Sequence, residues 1–70
     1  MTKYLVVYEK TKTGFSAYVP DLAGVATTGR TKNEAEKNIY IAIQMHVESL
    51  REMKCKIPKP LAESEVLVFA

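Results

Sequence analysis

The chain has 70 residues, one Cys, one His and a formal net charge of +2 from 10 Lys+Arg against 8 Asp+Glu. That length means a single domain, residues 1–70, whose own core supplies no more than about 3–5 kcal/mol, so self-association is expected as the helper. A disulfide within the chain is excluded, a zinc site lacks ligands, and scattered lysines at so small a net charge give no case for nucleic acid.

Lys3 to Glu9 is rich in Val and Tyr. Leu5 and Val7 face one way and Tyr4, Val6 and Tyr8 the other, so both faces are apolar and the stretch predicts a strand covered on both sides. It is far too short for a signal-peptide core or a membrane span, which predicts a cytoplasmic protein with its cysteine reduced. Lys10 to Gly14 suits a hairpin turn. Phe15 to Val19 is the second strand, with Phe15, Ala17 and Val19 on one face. Pro20 to Gly24 is the second turn, where Pro fixes its φ and Gly is free to take a positive one. Val25 to Thr28 is a short third strand.

Thr31 to Lys54 predicts one long helix. Thr31 is a good N-cap, and Glu34 stands where its carboxylate reaches back to the Thr31 N–H, as in a capping box. Ala35, Ile39, Ala42, Ile43, His46, Leu50 and Met53 form one stripe at three- and four-residue spacing. Basic residues Arg51, Lys54 and Lys56 suit the C-terminal end of the dipole. At about 33–36 Å the helix should overhang strands of about 17–20 Å. Cys55 to Glu65, with Pro58 and Pro60, reads as an ordered return, and Val66 to Phe69 as a last strand.

The order is therefore βββαβ, an α+β fold. Three strands form an antiparallel meander, one long helix covers one sheet face, and the fourth strand runs parallel to the first. The apolar composition of strand one favours its edge as the place where the fourth strand adds.

No residue set for catalysis emerges. His46 shares the helix stripe with Ile39, Ile43 and Leu50, and no carboxylate stands three or four residues away to orient it. It is expected to be a half-buried packing or interface residue. Cys55, between Lys54 and Lys56 whose charge favours thiolate, is expected to be simply an exposed or half-buried thiol. The acidic residues assemble no metal site, and no glycine-rich phosphate loop is present, so neither a metal nor another cofactor is expected. Tyr40, Ile41 and Met45 lie off the main stripe yet are apolar, which predicts a subunit interface through that side of the helix.

Several stretches together resemble the HicB family of antitoxins. They are Tyr4-Leu5-Val6-Val7-Tyr8-Glu9, the turn ending in Gly14, Phe15 to Gly24 with its Pro20-Asp21-Leu22-Ala23-Gly24 turn, Gly29-Arg30-Thr31 with Glu34-Ala35, and the Ile57-Pro58-Lys59-Pro60 return. The resemblance covers nearly the whole chain and implies a partial RNase H-like fold without nuclease activity. It implies a partner, a HicA-type toxin: a small basic RNase that cleaves mRNA and whose active surface the antitoxin covers. Val25 stands where the family often has Cys.

Many family members carry a DNA-binding domain after this one. The sequence stops at Ala70, so direct DNA binding is not expected of this chain, and nothing in it suggests a membrane. The expected toxin contact is the turn of Pro20, Asp21 and Leu22 with exposed parts of the sheet. The expected self-contact, in a dimer or tetramer, is Tyr40, Ile41 and Met45. The alternative is an orphan oligomeric HicB-like domain with a regulatory role, binding RNA or protein through Tyr4, Tyr8 and Tyr18.

Overall fold

The computed structural model describes residues 2–70. Three strands, β1 (Val7–Lys10), β2 (Phe15–Tyr18) and β3 (Ala26–Gly29), form an antiparallel sheet in the order β1-β2-β3. One helix follows, α1 (Lys32–Glu52). This is the α+β meander-plus-helix arrangement that the sequence predicts.

The strands are shorter than their apolar runs. Pairing in β1 begins only at Val7, opposite Tyr18, and continues to Lys10, opposite Phe15. Lys10 therefore belongs to the ladder rather than to the turn, which closes through Thr11 N–H donating to Gly14 O at 2.8 Å. Residues 3–6, expected within the first strand, lie outside the ladder. The β2–β3 connection is compact. Val19 N–H donates to Val25 O, Leu22 N–H to Val19 O and Val25 N–H to Leu22 O, all at 3.1–3.2 Å. Gly24 has φ +79, the positive value that its place in this turn requires.

The register puts Tyr8, Ala17 and Thr27 in one cross-strand row. Ala17 is buried under the helix, and Tyr8, Phe15, Tyr4 and Val6 pack around the same core. That core consists of Ala17, Val19, Leu22, Val25, Ala35 and Ile39. It sits between α1 and the β2–β3 side of the sheet, the strands on which the helix packs. The helix is pinned there by Asn38, whose side-chain amide donates to Thr28 O at 2.9 Å.

The helix starts at its Thr31 cap. Thr31 Oγ1 accepts from Glu34 N–H at 3.1 Å. The reciprocal arm is displaced by one residue: Glu34 Oε1 accepts from the Arg30 N–H, also at 3.1 Å, rather than from Thr31. The helix ends in a Schellman turn, with Cys55 N–H donating to Leu50 O at 2.9 Å and Lys54 N–H to Arg51 O at 3.0 Å. Lys54 takes φ 55, the left-handed position usually given to glycine.

The helix overhangs the sheet, as its length dictates. Its 21 residues extend about 31 Å, against about 13 Å for a four-residue strand. Consequently the apolar stripe is not a lid along its full length. Ala35 and Ile39 are buried and Ala42 and Ile43 pack against the core, but Met53 is exposed because no strand lies beneath it.

The larger correction concerns the end of the chain. Val66 to Phe69, expected as a fourth strand, pairs with none of the three strands and is exposed. The chain after the Schellman turn is held at two points, Pro58 O by Tyr4 Oη–H and residues 61–62 by Asp21, and beyond Ala62 no contact directs it to a sheet edge.

Candidate partner-binding surface

The conspicuous surface features gather at one end of the molecule, around the β2–β3 turn and the chain that returns to it. Because β1 and β2 are antiparallel with Val7 opposite Tyr18, the start of β1 and the β2–β3 turn share this end. Asp21 stands in the turn, and its Oδ2 accepts from Leu61 N–H at 3.2 Å and from Ala62 N–H at 3.0 Å. Two amides converging on one carboxylate oxygen fix the return segment against the turn. The functional use of Asp21 visible within the chain is thus to tether residues 55–65.

The three turn residues expected at a toxin contact are placed very differently. Pro20 is exposed, Asp21 is half-buried and engaged with the return segment, and Leu22 is 1% exposed as one of the two largest fully buried side chains. Leu22 points inward because the Leu22–Val19 and Val25–Leu22 backbone bonds curl the turn over the core. The alternation that buries Val19 and Val25 on the same side was available in the sequence as a hint.

Along the helix, Tyr40, Ile41 and Met45 are 63%, 53% and 66% exposed. They form an apolar flank that nothing in the chain covers. His46 is half-buried in a shallow groove of about 340 Å³ with Gly24, Ala26 and Met45. A second groove of about 320 Å³ runs between the overhanging helix and the start of the chain, lined by Tyr4, Ile43, Val47, Arg51 and Ile57. Cys55 is an exposed free thiol beside the Schellman turn.

At the opposite end of the helix, the Lys32 ammonium lies 5.2 Å from the Tyr8 ring centroid, a cation–π contact. Burial of Tyr8, and secondarily the negative charge of Glu36, raise the Tyr8 phenol above its ordinary 10.0. Neither contact was legible from spacing, because each joins a strand to a helix that only the fold brings together. The same holds for the Tyr4 hydroxyl, which donates to Pro58 O across 54 residues.

Among the described residues no three His, Cys, Asp or Glu side chains gather where they would hold a metal ion. No helix is long and apolar enough to cross a membrane. What the surface offers is a sheet end, two shallow grooves and exposed apolar side chains, which are elements for binding another macromolecule.

Comparison with known proteins decides the family. Residues 4–67 match the family described as "HicB_like antitoxin of bacterial toxin-antitoxin system". The chain belongs to this family.

The HicB-like chain is 44% identical to the UPF0150 protein Ta0767 of Thermoplasma acidophilum over 97% of its own length and 99% of that protein. It is 36% identical to an uncharacterized 14.9 kDa protein from the rep-hol intergenic region of Haemophilus phage HP1. That match covers 80% of the chain and only 42% of the phage protein. Among solved structures it is similar to a chain of the HicA3 and HicB3 toxin-antitoxin complex, with a TM-score of 0.71 and 32% identity. The match spans 86% of this chain and 70% of that one. The HicB-like fold is therefore shared in three dimensions as well as in sequence.

Proposed function

We propose that this HicB-like chain is the antitoxin of a type II toxin-antitoxin pair and acts by binding a HicA-type mRNA-cleaving RNase and covering its active surface. The observation that carries the reading is the family match across residues 4–67 together with the fold shared with a chain of a HicA3–HicB3 complex. The mechanism is steric. It asks no acid–base group of this chain, only a surface that excludes RNA from the toxin.

Within this reading the contact centres on the β2–β3 end, with Pro20 as its exposed residue and Asp21 shaping it through the return segment. The buried Leu22 supports the turn from beneath rather than touching a partner. The sheet face opposite the helix adds Leu5, Val7 and Tyr18, half-buried to exposed.

The test is co-expression with a HicA-type RNase, followed by affinity capture and an RNA-cleavage assay. A stable complex and loss of cleavage on adding this chain are expected. Unimpeded cleavage at saturating antitoxin would overturn the reading.

A further inference from the structure

Val66, Leu67, Val68 and Phe69 are 90%, 64%, 94% and 85% exposed. Four consecutive β-branched, aliphatic and aromatic residues standing in water are the composition of a strand without a sheet. The same molecule holds a sheet edge without a strand. In the order β1-β2-β3 the outer edge of β1 is unpaired among the described residues, and the helix lies over β2 and β3 rather than over β1. We propose that the two complete each other between chains: residues 66–69 of each copy run parallel to β1 of a second copy, along its free edge, in a strand-exchanged dimer.

Several observations favour a second copy over the chain's own edge. The tail is rooted at Asp21, in the loop between β2 and β3, through Leu61 and Ala62. From a point between those strands to a position outside β1 is about 2.5 strand spacings, or about 12 Å. The four Cα–Cα steps from Ala62 to Val66 span at most about 14 Å, so intrachain pairing would need this connection almost fully extended across the sheet end, with little chain left to turn along β1. The radius of gyration is 13.6 Å, against about 11 Å for a compact chain of this length, because the overhanging helix and the exposed tail both extend the molecule.

Charge complements the register. A tail parallel to β1 brings Glu63 and Glu65 to the Lys3 end of the second copy's strand, with Val66 to Phe69 beside the apolar Tyr4 to Tyr8 run. Finally, the exchange is reciprocal. Each copy supplies one strand and one edge, so a two-fold dimer closes and leaves neither unpaired, which a single unlike partner does not do. This inference stands apart from toxin binding and is tested on the antitoxin alone.

Sedimentation of the full chain should give twice the 7.9 kDa chain mass. Val68→Pro, which removes a ladder donor, should give the mass of one chain with the helical circular dichroism retained. A second measurement covers any folding failure of that variant. In a Cys55→Ser background, a chain carrying Val6→Cys is mixed with one carrying Leu67→Cys and oxidised. A disulfide-linked pair of the two different chains is expected. A wild-type chain that sediments as a monomer, a folded Val68→Pro variant that stays dimeric, or absence of the mixed disulfide would each overturn the proposal.

Discussion

Gly29, the last residue of β3, lies directly against the backbone of Ala35 in the first turns of the helix. A methyl group at Gly29 would stand 2.9 Å from the Ala35 Cα, and one at Gly14 would stand 2.8 Å from the Arg30 Cα. Missing side chains thus let the helix start sit on the sheet end, and the Gly29–Ala35 pair recurs in the stretch by which the sequence resembles its family. Gly29→Ala is expected to destabilise the protein by about 1–3 kcal/mol, since backbone rather than a flexible side chain must give way. Gly24 makes the contrast. A methyl there meets nothing within 4 Å, and the cost of Gly24→Ala is conformational, about 1–2 kcal/mol from φ +79. Urea midpoints at fixed protein concentration separate the two: Asn should rescue much of the loss at Gly24 and none at Gly29.

The helix cap is the second lever. Thr31 Oγ1 holds the Glu34 N–H, and Glu34 Oε1 holds the Arg30 N–H. Thr31→Ala should cost about 1 kcal/mol. Glu34→Ala should cost less, because the Arg30 amide it holds precedes the helix, whereas Thr31 satisfies a free amide of the first helical turn. Equal losses in urea titrations would contradict the assignment of Thr31 as the principal cap.

These local features were legible because they depend on neighbours in sequence. The Thr31 cap, the Gly24 turn and the stripe of Ala35 and Ile39 each follow from residues three or four apart. The Glu34 arm missed its amide by one position, since the choice between the Thr31 and Arg30 donors depends on backbone directions before the helix. What lay out of reach was set by tertiary path. Leu22, expected at a surface, is core because its turn curls inward. Asp21, expected at a partner contact, instead reaches residues forty places on. Val66 to Phe69 carries every mark of a strand, and composition says that it wants an edge without saying whose.

Lys54 bears the left-handed conformation of the Schellman turn at φ 55. A non-glycine residue there costs about 1–2 kcal/mol against glycine, partly offset by glycine's greater freedom when unfolded. Lys54→Gly should therefore stabilise by about 0.5–1 kcal/mol, read as a rise in melting temperature. The Leu50–Cys55 backbone bond should persist, and slower exchange of the Cys55 amide would report it.

Tyr8 provides a pH-dependent prediction. Its phenol is held above 10.0 in the folded chain, by burial first and by Glu36 second. The folded state therefore keeps a proton that the unfolded state releases, and the corresponding stability is present below pH 10 and lost as pH rises through the folded value. Tyr8 should ionise above the ordinary tyrosine value in the folded protein, followed by absorbance near 295 nm. Tyr8→Phe should weaken the fall in stability above pH 10; an alkaline profile unchanged by that substitution would contradict the assignment.

Asp21 joins the turn to the return segment by two amide bonds to one oxygen, and that tether decides where the tail leaves the body. Asp21→Ala leaves the Leu61 and Ala62 amides without a protein acceptor, the second of them part-buried, and should cost about 1–2 kcal/mol. Asp21→Asn keeps a carbonyl oxygen for the same amides and should recover part of the loss, though not the charge-assisted share. Hydrogen exchange gives the sharper reading. In Asp21→Ala the amides of Leu61 and Ala62 should lose protection while those of Ala17 and Ile39, in the core, should follow only the change in global stability. If Asp21 serves only its own turn, the 61–62 amides will exchange as in the unsubstituted chain and the Leu22 and Val25 amides will change instead.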